Sequence, residues 1–385
     1  MALDLDRGGV DMEPNFQYTK DNHYKWGWGD EWYNRRIPGE TYNIKMGLLT
    51  RTPMSFRQEC VQAVTDIANN TSKPIIVGLS GGSDSQMVCL SLIEAKIPFT
   101  ALIVTYEDEL GTTINQHDID NAYKFCKKFN VPFKEMILNL DKFYLGKGRE
   151  YAGVYGFTGA ETIVQTAAMD LVGKNYCYIM AGGDVMFVVY NPAVTPDITV
   201  PKLANGNTVP VWYMKPLPVM QHMMEMGYEG TSKFYMWSPE LIYSYLTDPV
   251  MQNFYRAQDA IYDTYCVWHP NASTWWRCFH YLFKPQMTIA HFPELIPTRK
   301  YTGFERLYGN VQKDNFLNTY SRSKMKHYTE ILKDAAGVMD DNKSAVVLPI
   351  ADMINYFLEK ESRILRSTRV TEVAPALKTA ERRND

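Results

Sequence analysis

The sequence lacks several features that would assign it at once to a class. Its 385 residues include six cysteines, but none form a Cys-x-x-Cys pair, so neither a zinc ribbon nor an iron–sulfur cluster is indicated. No apolar run approaches the roughly 18 residues of a membrane span. The net charge of −3 gives no argument for a nucleic-acid or membrane partner. Residues 1–11 lack an apolar signal core, so we expect a cytoplasmic protein.

What the chain does have is a globular composition, with 45% hydrophobic and 22% charged residues. Residues 1–53 are rich in aromatics without a clear helix or strand period, and we interpret them as an arm that packs on the main domain. Residues 54–200 alternate short apolar strands with amphipathic helices, which predicts an α/β fold with a doubly wound parallel sheet. Residues 201–372 are predicted to be a helical, aromatic-rich extension, and residues 373–385 a polar tail.

Four short apolar runs predict the strands of this sheet. They lie at residues 74–79, 100–106, 132–138 and 176–181. A helix is predicted at 86–96, directly after a glycine-rich turn, and another at 347–365. Since ligands of such sheets bind at the carboxyl ends of the strands, the turn after the first strand is the first place to look for chemistry.

That turn reads Ser-Gly-Gly-Ser-Asp-Ser and can bind an anion. Gly81 and Gly82 allow a tight turn that brings backbone N–H groups close to a ligand. The following helix points its N-terminal N–H groups and its positive dipole end at the same place. Hydroxyl groups are added by Ser80, Ser83 and Ser85. Asp84 would repel phosphates unless a cation lies between them, which indicates Mg²⁺.

Other phosphate-binding loops fit the turn poorly. A Walker A loop needs a lysine after its glycines, and the dinucleotide fingerprint Gly-x-Gly-x-x-Gly is absent. The pattern Ser-Gly-Gly-x-Asp-Ser after a buried strand resembles the PP-loop of the ATP pyrophosphatase superfamily, with its HUP-like fold. The resemblance implies that Ser80, Gly81, Gly82, Ser83 and Ser85 hold the pyrophosphate part of ATP. It also implies adenylation of a substrate with release of pyrophosphate, with Asp84 as catalytic and metal-binding residue.

A second motif resembles the asparagine-synthetase branch of that superfamily. Gly182-Gly183-Asp184 follows the fourth strand and is similar to the branch's Gly-x-Asp-x-x-Phe segment. The resemblance implies that Gly182 and Gly183 contact pyrophosphate and that Asp184 is a second metal ligand. Val185 stands where the branch usually has another acidic residue. A Gly-Gly-Asp turn between strands explains the same residues equally well. The chain also resembles PP-loop proteins encoded by phages, which indicates no substrate.

Two more segments supply candidate site residues. Arg299 or Lys300 could offset the charge on departing pyrophosphate, as a late lysine does in relatives of asparagine synthetase. Glu305 could orient a substrate amine, although a solvated basic turn also explains this segment. Tyr106 ends the second strand, where the backbone of superfamily members often contacts adenine.

Several alternatives remain open. Gly78 to Gly82 also spells Gly-x-Ser-x-Gly, the nucleophile elbow of α/β-hydrolases, with Ser80 as nucleophile and His291 as a possible partner. Sulfur transfer or sulfonucleotide reduction would need a reactive cysteine such as Cys177 or Cys266. A buried thiol in the core, with no chemical role, is the simpler interpretation of each. A non-catalytic nucleotide-binding protein is the third alternative.

The predicted partners are ATP, Mg²⁺ and an acceptor that the sequence does not name. Residue 2 is alanine and some fifty residues precede the domain, so we expect no glutaminase domain with an N-terminal cysteine. Nitrogen would then come from free ammonia, another amine or a separate donor protein. The aromatic segment 234–283 could stack a nucleobase of a nucleic-acid substrate, but such segments are more often core.

Overall fold

Strands and helices alternate through most of the chain. The computed structural model describes residues 23–33, 40–155, 160–182, 211–214, 218–256, 284–297, 327–328, 330–336 and 346–367. Within them the strands are β1 (Tyr24–Trp28), β2 (Tyr42–Met46), β3 (Ile75–Gly78), β4 (Phe99–Glu107), β5 (Phe133–Asn139), β6 (Cys177–Ile179), β7 (Val211–Met214), β8 (Glu229–Thr231), β9 (Val346–Pro349) and β10 (Leu365–Arg366). The α-helices are α1 (Phe56–Asn69), α2 (Ser83–Glu94), α3 (Gln116–Phe129), α4 (Leu140–Leu145), α5 (Lys147–Tyr155), α6 (Ala160–Val172), α7 (Pro218–Met226), α8 (Pro239–Thr247), α9 (Pro249–Arg256), α10 (Lys284–His291) and α11 (Ile350–Phe357).

Five parallel strands form the central sheet, in the order β5-β4-β3-β6-β8. The chain first builds outward from β3 through β4 to β5, and then crosses back to place β6 on the other side of β3. This reversal creates a topological switch point between the neighbouring strands β3 and β6, and the loop after β3 opens into it. The predicted doubly wound α/β class is confirmed.

The alternation of side chains along β3 shows that both faces of the sheet are covered. Ile75 and Val77 belong to a buried cluster with α1, α2 and α3, whereas Ile76 packs with α6 and α7 on the opposite face. Strand β6 divides its side chains in the same way: Cys177 and Ile179 face the first cluster and Tyr178 the second. Strands buried on both faces read as continuous apolar runs, which is why periodicity located them.

Two helices begin directly after a serine that takes part in capping. Ser55 precedes α1, and its N–H donates to Oε1 of Gln58 at 3.2 Å, as the capping-box spacing predicts. Ser238 caps α8 by accepting a hydrogen bond from the N–H of Leu241 at 3.1 Å. Helix α2 begins at Ser83 and not at Gln86, because the glycine turn closes earlier than its sequence pattern indicates.

The N-terminal segment contains strands that the sequence pattern did not reveal. Strands β1 and β10 both pair with β2 in an antiparallel sheet. Its inner face carries Tyr24, Trp26 and Trp28 with Tyr42, all buried in the cluster that contains α1. The sequence did not indicate these strands, because Gly27 and the short length of β1 hide its alternation. At Gly27 an added Cβ would lie 2.6 Å from the backbone of Trp32, so only glycine permits that approach.

The part beyond residue 200 is mixed, and not only helical. Strand β8 lies beyond the predicted boundary yet pairs in parallel with β6 in the central sheet. Strands β7 and β9 form a separate antiparallel pair. The predicted helix at 347–365 was wrong over half its length, since β-branched Val346 and Val347 extend as β9 and α11 ends at Phe357. Within the described residues no helix has the length and apolar character to cross a bilayer.

Candidate nucleotide-binding site

The glycine turn lies at the switch point of the sheet, directly after β3. Leu79 is the last residue held by the sheet, its N–H donating to the carbonyl of Leu102 at 2.8 Å. Gly81 then adopts a φ of +76°, which disfavours any side chain. A Cβ on Gly81 would also lie 2.3 Å from the carbonyl oxygen of Asp118 in α3. Conformation and close packing therefore both require glycine here.

Hydrogen bonds within the turn fix its shape. The hydroxyl of Ser85 donates to the carbonyl of Gly82 at 3.0 Å, and the N–H of Gly82 lies 3.4 Å from Oγ of Ser80. Because the single hydroxyl hydrogen of Ser85 is used in this way, the 3.2 Å contact between the two serine hydroxyls has Ser80 as its donor. Ser85 is buried, whereas Ser80 is exposed. Ser80 is therefore the better placed of the two to meet a ligand.

The N-terminus of α2 provides the anion-binding surface that the sequence predicts. Gly82 is the N-cap residue and has no side chain with which to cap the helix. The first-turn N–H groups, those of Ser83, Asp84 and Ser85, have no intrahelical acceptors, and the positive end of the helix dipole lies with them. A phosphate placed over Gly82 would cap the helix in place of a side chain.

Asp84 is held by a residue from far along the chain. The hydroxyl of Tyr235 donates to its Oδ1 at 2.9 Å. Tyr235 follows β8 and is 2% exposed. Its ring stacks on Phe56 at 6.0 Å between centroids and meets Tyr245 edge-on at 5.2 Å. Tyr235 could not be predicted as a site residue, since nothing in its local sequence pattern connects it with residue 84.

Gly182 lies at the same carboxyl end of the strands, just past the end of β6. An added Cβ would lie 2.6 Å from the carbonyl oxygen of Ser232, so the chain after β8 approaches it closely. Its own carbonyl accepts the N–H of Tyr235 at 3.2 Å. The structure thus places Gly182, the first residue of the second predicted motif, at the same end of the strands as the glycine turn. Gly183 and Asp184 lie outside the described residues.

Tyr106 lies near the carboxyl end of β4, and its backbone is already engaged. Its N–H donates to Oδ1 of Asn115 at 2.9 Å, and its carbonyl accepts the N–H of Ile114 at 2.9 Å. Burial, with a smaller effect from the charge of Asp118, raises the pKa of its phenol to about 12. A contact with adenine through the backbone of Tyr106 would compete with these bonds.

Gln86 is a second residue that sequence analysis missed, although it directly follows the motif. Its Nε2 donates to the carbonyl of Gly81 at 2.8 Å and to that of Ile296 at 3.1 Å. Its Oε1 accepts the N–H of Ile296 at 2.9 Å. The segment that leads toward the third candidate group is thereby tied to the glycine turn. That group, Arg299, Lys300 and Glu305, lies outside the described residues.

The contacts of His291 do not fit a hydrolase triad. Its Nε2 lies 2.6 Å from Oδ2 of Asp248, and its ring packs edge-on against Phe56 at 5.6 Å. Tyr235 stacks on the same Phe56. In the part of the chain that the structure describes, the hydroxyl of Ser80 bonds only within its own turn.

The described cysteines are unsuited to sulfur chemistry. Cys60, Cys89, Cys126 and Cys177 are reduced thiols, and all four are buried. Burial raises the pKa of the Cys126 thiol to about 11 and those of Cys60 and Cys89 further, which suppresses the reactive thiolate. Cys266 lies outside the described residues. Across the described ranges no three His, Cys, Asp or Glu side chains cluster as a metal site.

Comparison with known proteins gives weak structural likenesses only. No protein-family model matches the chain, and no curated protein matches its sequence. NMN synthetase from Francisella tularensis is 18% identical with a TM-score of 0.26, over 33% of this chain and 53% of that one. The NH3-dependent NAD synthetase from Campylobacter jejuni subsp. jejuni, solved with nitrate, is 14% identical with a TM-score of 0.27, over 63% and 96%.

The third likeness is to the glutamine-dependent NAD+ synthetase from Acinetobacter baumannii, solved with ADP. It is 10% identical with a TM-score of 0.28, over 82% of this chain and 56% of that one. The chain therefore spans about half the length of two of the three structures. At such scores the likenesses carry no argument about activity, and the fold class rests on the strand order itself. The predicted place in the asparagine-synthetase branch stays a prediction.

Proposed function

We propose that the protein binds ATP with Mg²⁺ on the turn from Ser80 to Ser85, transfers AMP to a substrate and releases pyrophosphate. The observation that supports this most directly is the geometry of that turn. A glycine with positive φ, a helix N-terminus capped by Gly82 and the carboxylate of Asp84 come together at the switch point of a parallel sheet.

The residues present fit a magnesium–pyrophosphate group. Mg²⁺ is usually held in proteins by one or two carboxylates, together with waters and the phosphates of the substrate. Asp84 supplies one such carboxylate in the first turn of α2, beside the N–H groups that would hold the phosphates. When bound, the cation offsets the charge that builds up on pyrophosphate as it leaves. Asp184 is the proposed second carboxylate, and Lys300 or Arg299 the proposed additional cation.

The proposed chemistry needs no protein nucleophile. A carboxylate or amide oxygen of the substrate attacks the α-phosphorus, and the bond from that phosphorus to the bridging oxygen breaks, so that pyrophosphate leaves. An amine then displaces AMP and loses a proton, which gives an amide from an activated carboxylate or an amidine from an activated amide. Orientation of ATP by the turn and stabilisation of the leaving charge supply most of the rate. The amine would come from ammonia, a small metabolite or a separate donor protein.

Labelled ATP tests this function. The protein is incubated with α-³²P-ATP, Mg²⁺ and fractionated cell metabolites, and the nucleotide products are separated. We expect AMP and pyrophosphate in equal amounts, formed only with one of the fractions and abolished by EDTA. If the active substrate is a carboxylic acid labelled with ¹⁸O, one labelled oxygen must appear in AMP. Formation of ADP and phosphate, or turnover of an activated ester without ATP, would contradict the proposal.

A further inference from the structure

Tyr235 connects the two halves of the proposed site. Its hydroxyl donates to Oδ1 of Asp84 at 2.9 Å, and its N–H donates to the carbonyl of Gly182 at 3.2 Å. Asp84 belongs to the turn after β3, whereas Gly182 follows β6 on the other side of the switch point. One residue therefore fixes the position of the Asp84 carboxylate relative to the segment that continues into Asp184.

The ring of Tyr235 has little freedom to move. It is 2% exposed, and it packs against Phe56 and Tyr245, which are equally buried. The backbone is held as well, since Phe234 donates its N–H to the carbonyl of Met180 at 3.3 Å. A donor held this firmly restrains the orientation of the Asp84 carboxylate before any ligand arrives. Groups that meet a metal gain affinity from this kind of preorganisation.

We propose that Tyr235 is a positioning residue that orients the Asp84 carboxylate for Mg²⁺ and thereby sets the affinity of the site for magnesium pyrophosphate. The inference rests on the proposed function. Tyr235 acts through Asp84 and touches neither nucleotide nor metal. In the Tyr235→Phe variant the ring contacts persist, while the carboxylate loses the bond that fixes its rotation. The expected consequence is weaker Mg²⁺ binding in an otherwise folded protein.

The test measures binding and not only turnover. Isothermal titration with pyrophosphate at a series of Mg²⁺ concentrations gives the Mg²⁺ concentration for half-maximal binding. For Tyr235→Phe we expect this concentration to rise about tenfold, because a hydrogen bond to a charged group is lost. Saturating Mg²⁺ should restore most of the pyrophosphate affinity. In the activity assay kcat at limiting Mg²⁺ should fall, while KM for ATP at saturating Mg²⁺ stays close to that of the unaltered protein.

Tyr245→Phe is the matched control, since it removes a hydroxyl from the same aromatic group without removing the bond to Asp84. Thermal melting of both variants reports any loss of packing. The inference is overturned if Tyr235→Phe keeps the original Mg²⁺ dependence, or if Tyr245→Phe changes it as much. If the unaltered protein binds no pyrophosphate at any Mg²⁺ concentration, the proposed function fails too, so the two failures are distinguishable.

Discussion

Two carboxylates, Asp84 and Asp170, accept hydrogen bonds from tyrosine hydroxyls at opposite ends of the strands of the central sheet. Asp84 lies in the first turn of α2, at the carboxyl ends of the strands. Asp170 lies in the last turn of α6, shortly before β6 begins, and therefore at the amino ends. Both are partly buried. What surrounds them differs, and so does what they can do.

Asp170 is surrounded by side-chain donors. It accepts hydrogen bonds from Nε2 of His222 at 2.7 Å, from the hydroxyl of Tyr228 at 2.8 Å and from the hydroxyl of Tyr151. Because an ionised carboxylate can only accept, Nε2 of His222 carries a hydrogen. Its Nδ1 lies 2.8 Å from the hydroxyl of Tyr155. The network joins α5, α6 and α7, which packs that face of the sheet.

The pKa of Asp170 reflects this arrangement. Burial raises the pKa of the carboxyl, but the hydrogen bonds from His222, Tyr151 and Tyr228 outweigh burial and hold it below its ordinary value. Burial and the bond to Asp170 raise the pKa of the Tyr228 phenol above its ordinary value. Asp84, in contrast, stands beside a glycine turn and the N–H groups of a helix start. Backbone N–H donors at the carboxyl ends of the strands can bind a ligand, whereas side-chain donors between helices stabilise the packing of those helices.

The largest expected effect is a loss of activity when Asp84 is replaced, which distinguishes Asp84 from Asp170. Asp84→Asn keeps the shape of the side chain but removes the charge that would hold Mg²⁺. We expect pyrophosphate release to fall about a hundredfold to a thousandfold, as for other losses of charge stabilisation in active sites. The melting temperature should stay within a few degrees of the original. Asp170→Asn is the matched control. A fully active Asp84→Asn protein would rule out the metal role.

The next expected effect is on stability, in the network around Asp170. His222 is 0% exposed, and His222→Ala removes a donor to Asp170, an acceptor for Tyr155 and a buried ring. We expect the free energy of unfolding to fall by about 3 kcal/mol, measured by urea denaturation. His327→Ala, at an exposed histidine, is the control. The variant that remains folded should bind ATP normally, and selective loss of ATP binding would contradict a structural role.

A third change tests the backbone of the glycine turn. Gly81→Ala introduces a Cβ at positive φ and places it 2.3 Å from the carbonyl oxygen of Asp118. We expect a loss of about 2 to 3 kcal/mol in stability together with loss of ATP binding. Gly111→Ala separates the two causes, since Gly111 has a φ of +79° but nothing within 4 Å of an added Cβ. If both variants lose equal stability, close packing on α3 is not what selects glycine at 81.

The sequence predicts one side of this comparison far better than the other. The turn at Ser80 to Ser85 is contiguous, so its residues, strand and helix are visible together in the sequence. The network of Asp170 joins residues from three helices, and no local pattern connects them. Tyr235 is missed for the same reason, since it lies 151 residues from Asp84. Residues that reach a site only through the fold have no local sequence pattern that would identify them.

The same limit applies to the fold. Strands β3 and β4 are buried on both faces and therefore appear as apolar runs. Strand β8 consists of Glu229, Gly230 and Thr231, which have no apolar pattern, and only its pairing with β6 makes it a strand. At Gly230 an added Cβ would lie 2.0 Å from the carbonyl oxygen of Tyr178, so glycine permits that pairing. Such a strand depends on its neighbour and not on its own propensity.

The smallest expected effect is the pH dependence of Asp170. Its folded pKa lies below the ordinary value near 3.8, so the unfolded chain takes up a proton first as the pH falls. The stability contributed by Asp170 is therefore fully present above about pH 5 and is lost as the pH falls through the lowered pKa. Melting curves of the unaltered protein and of Asp170→Asn should accordingly converge as the pH falls from about 5 through the lowered pKa. A gap that stays constant or widens would mean that the hydrogen bonds from His222 and the tyrosines do not favour the ionised carboxylate.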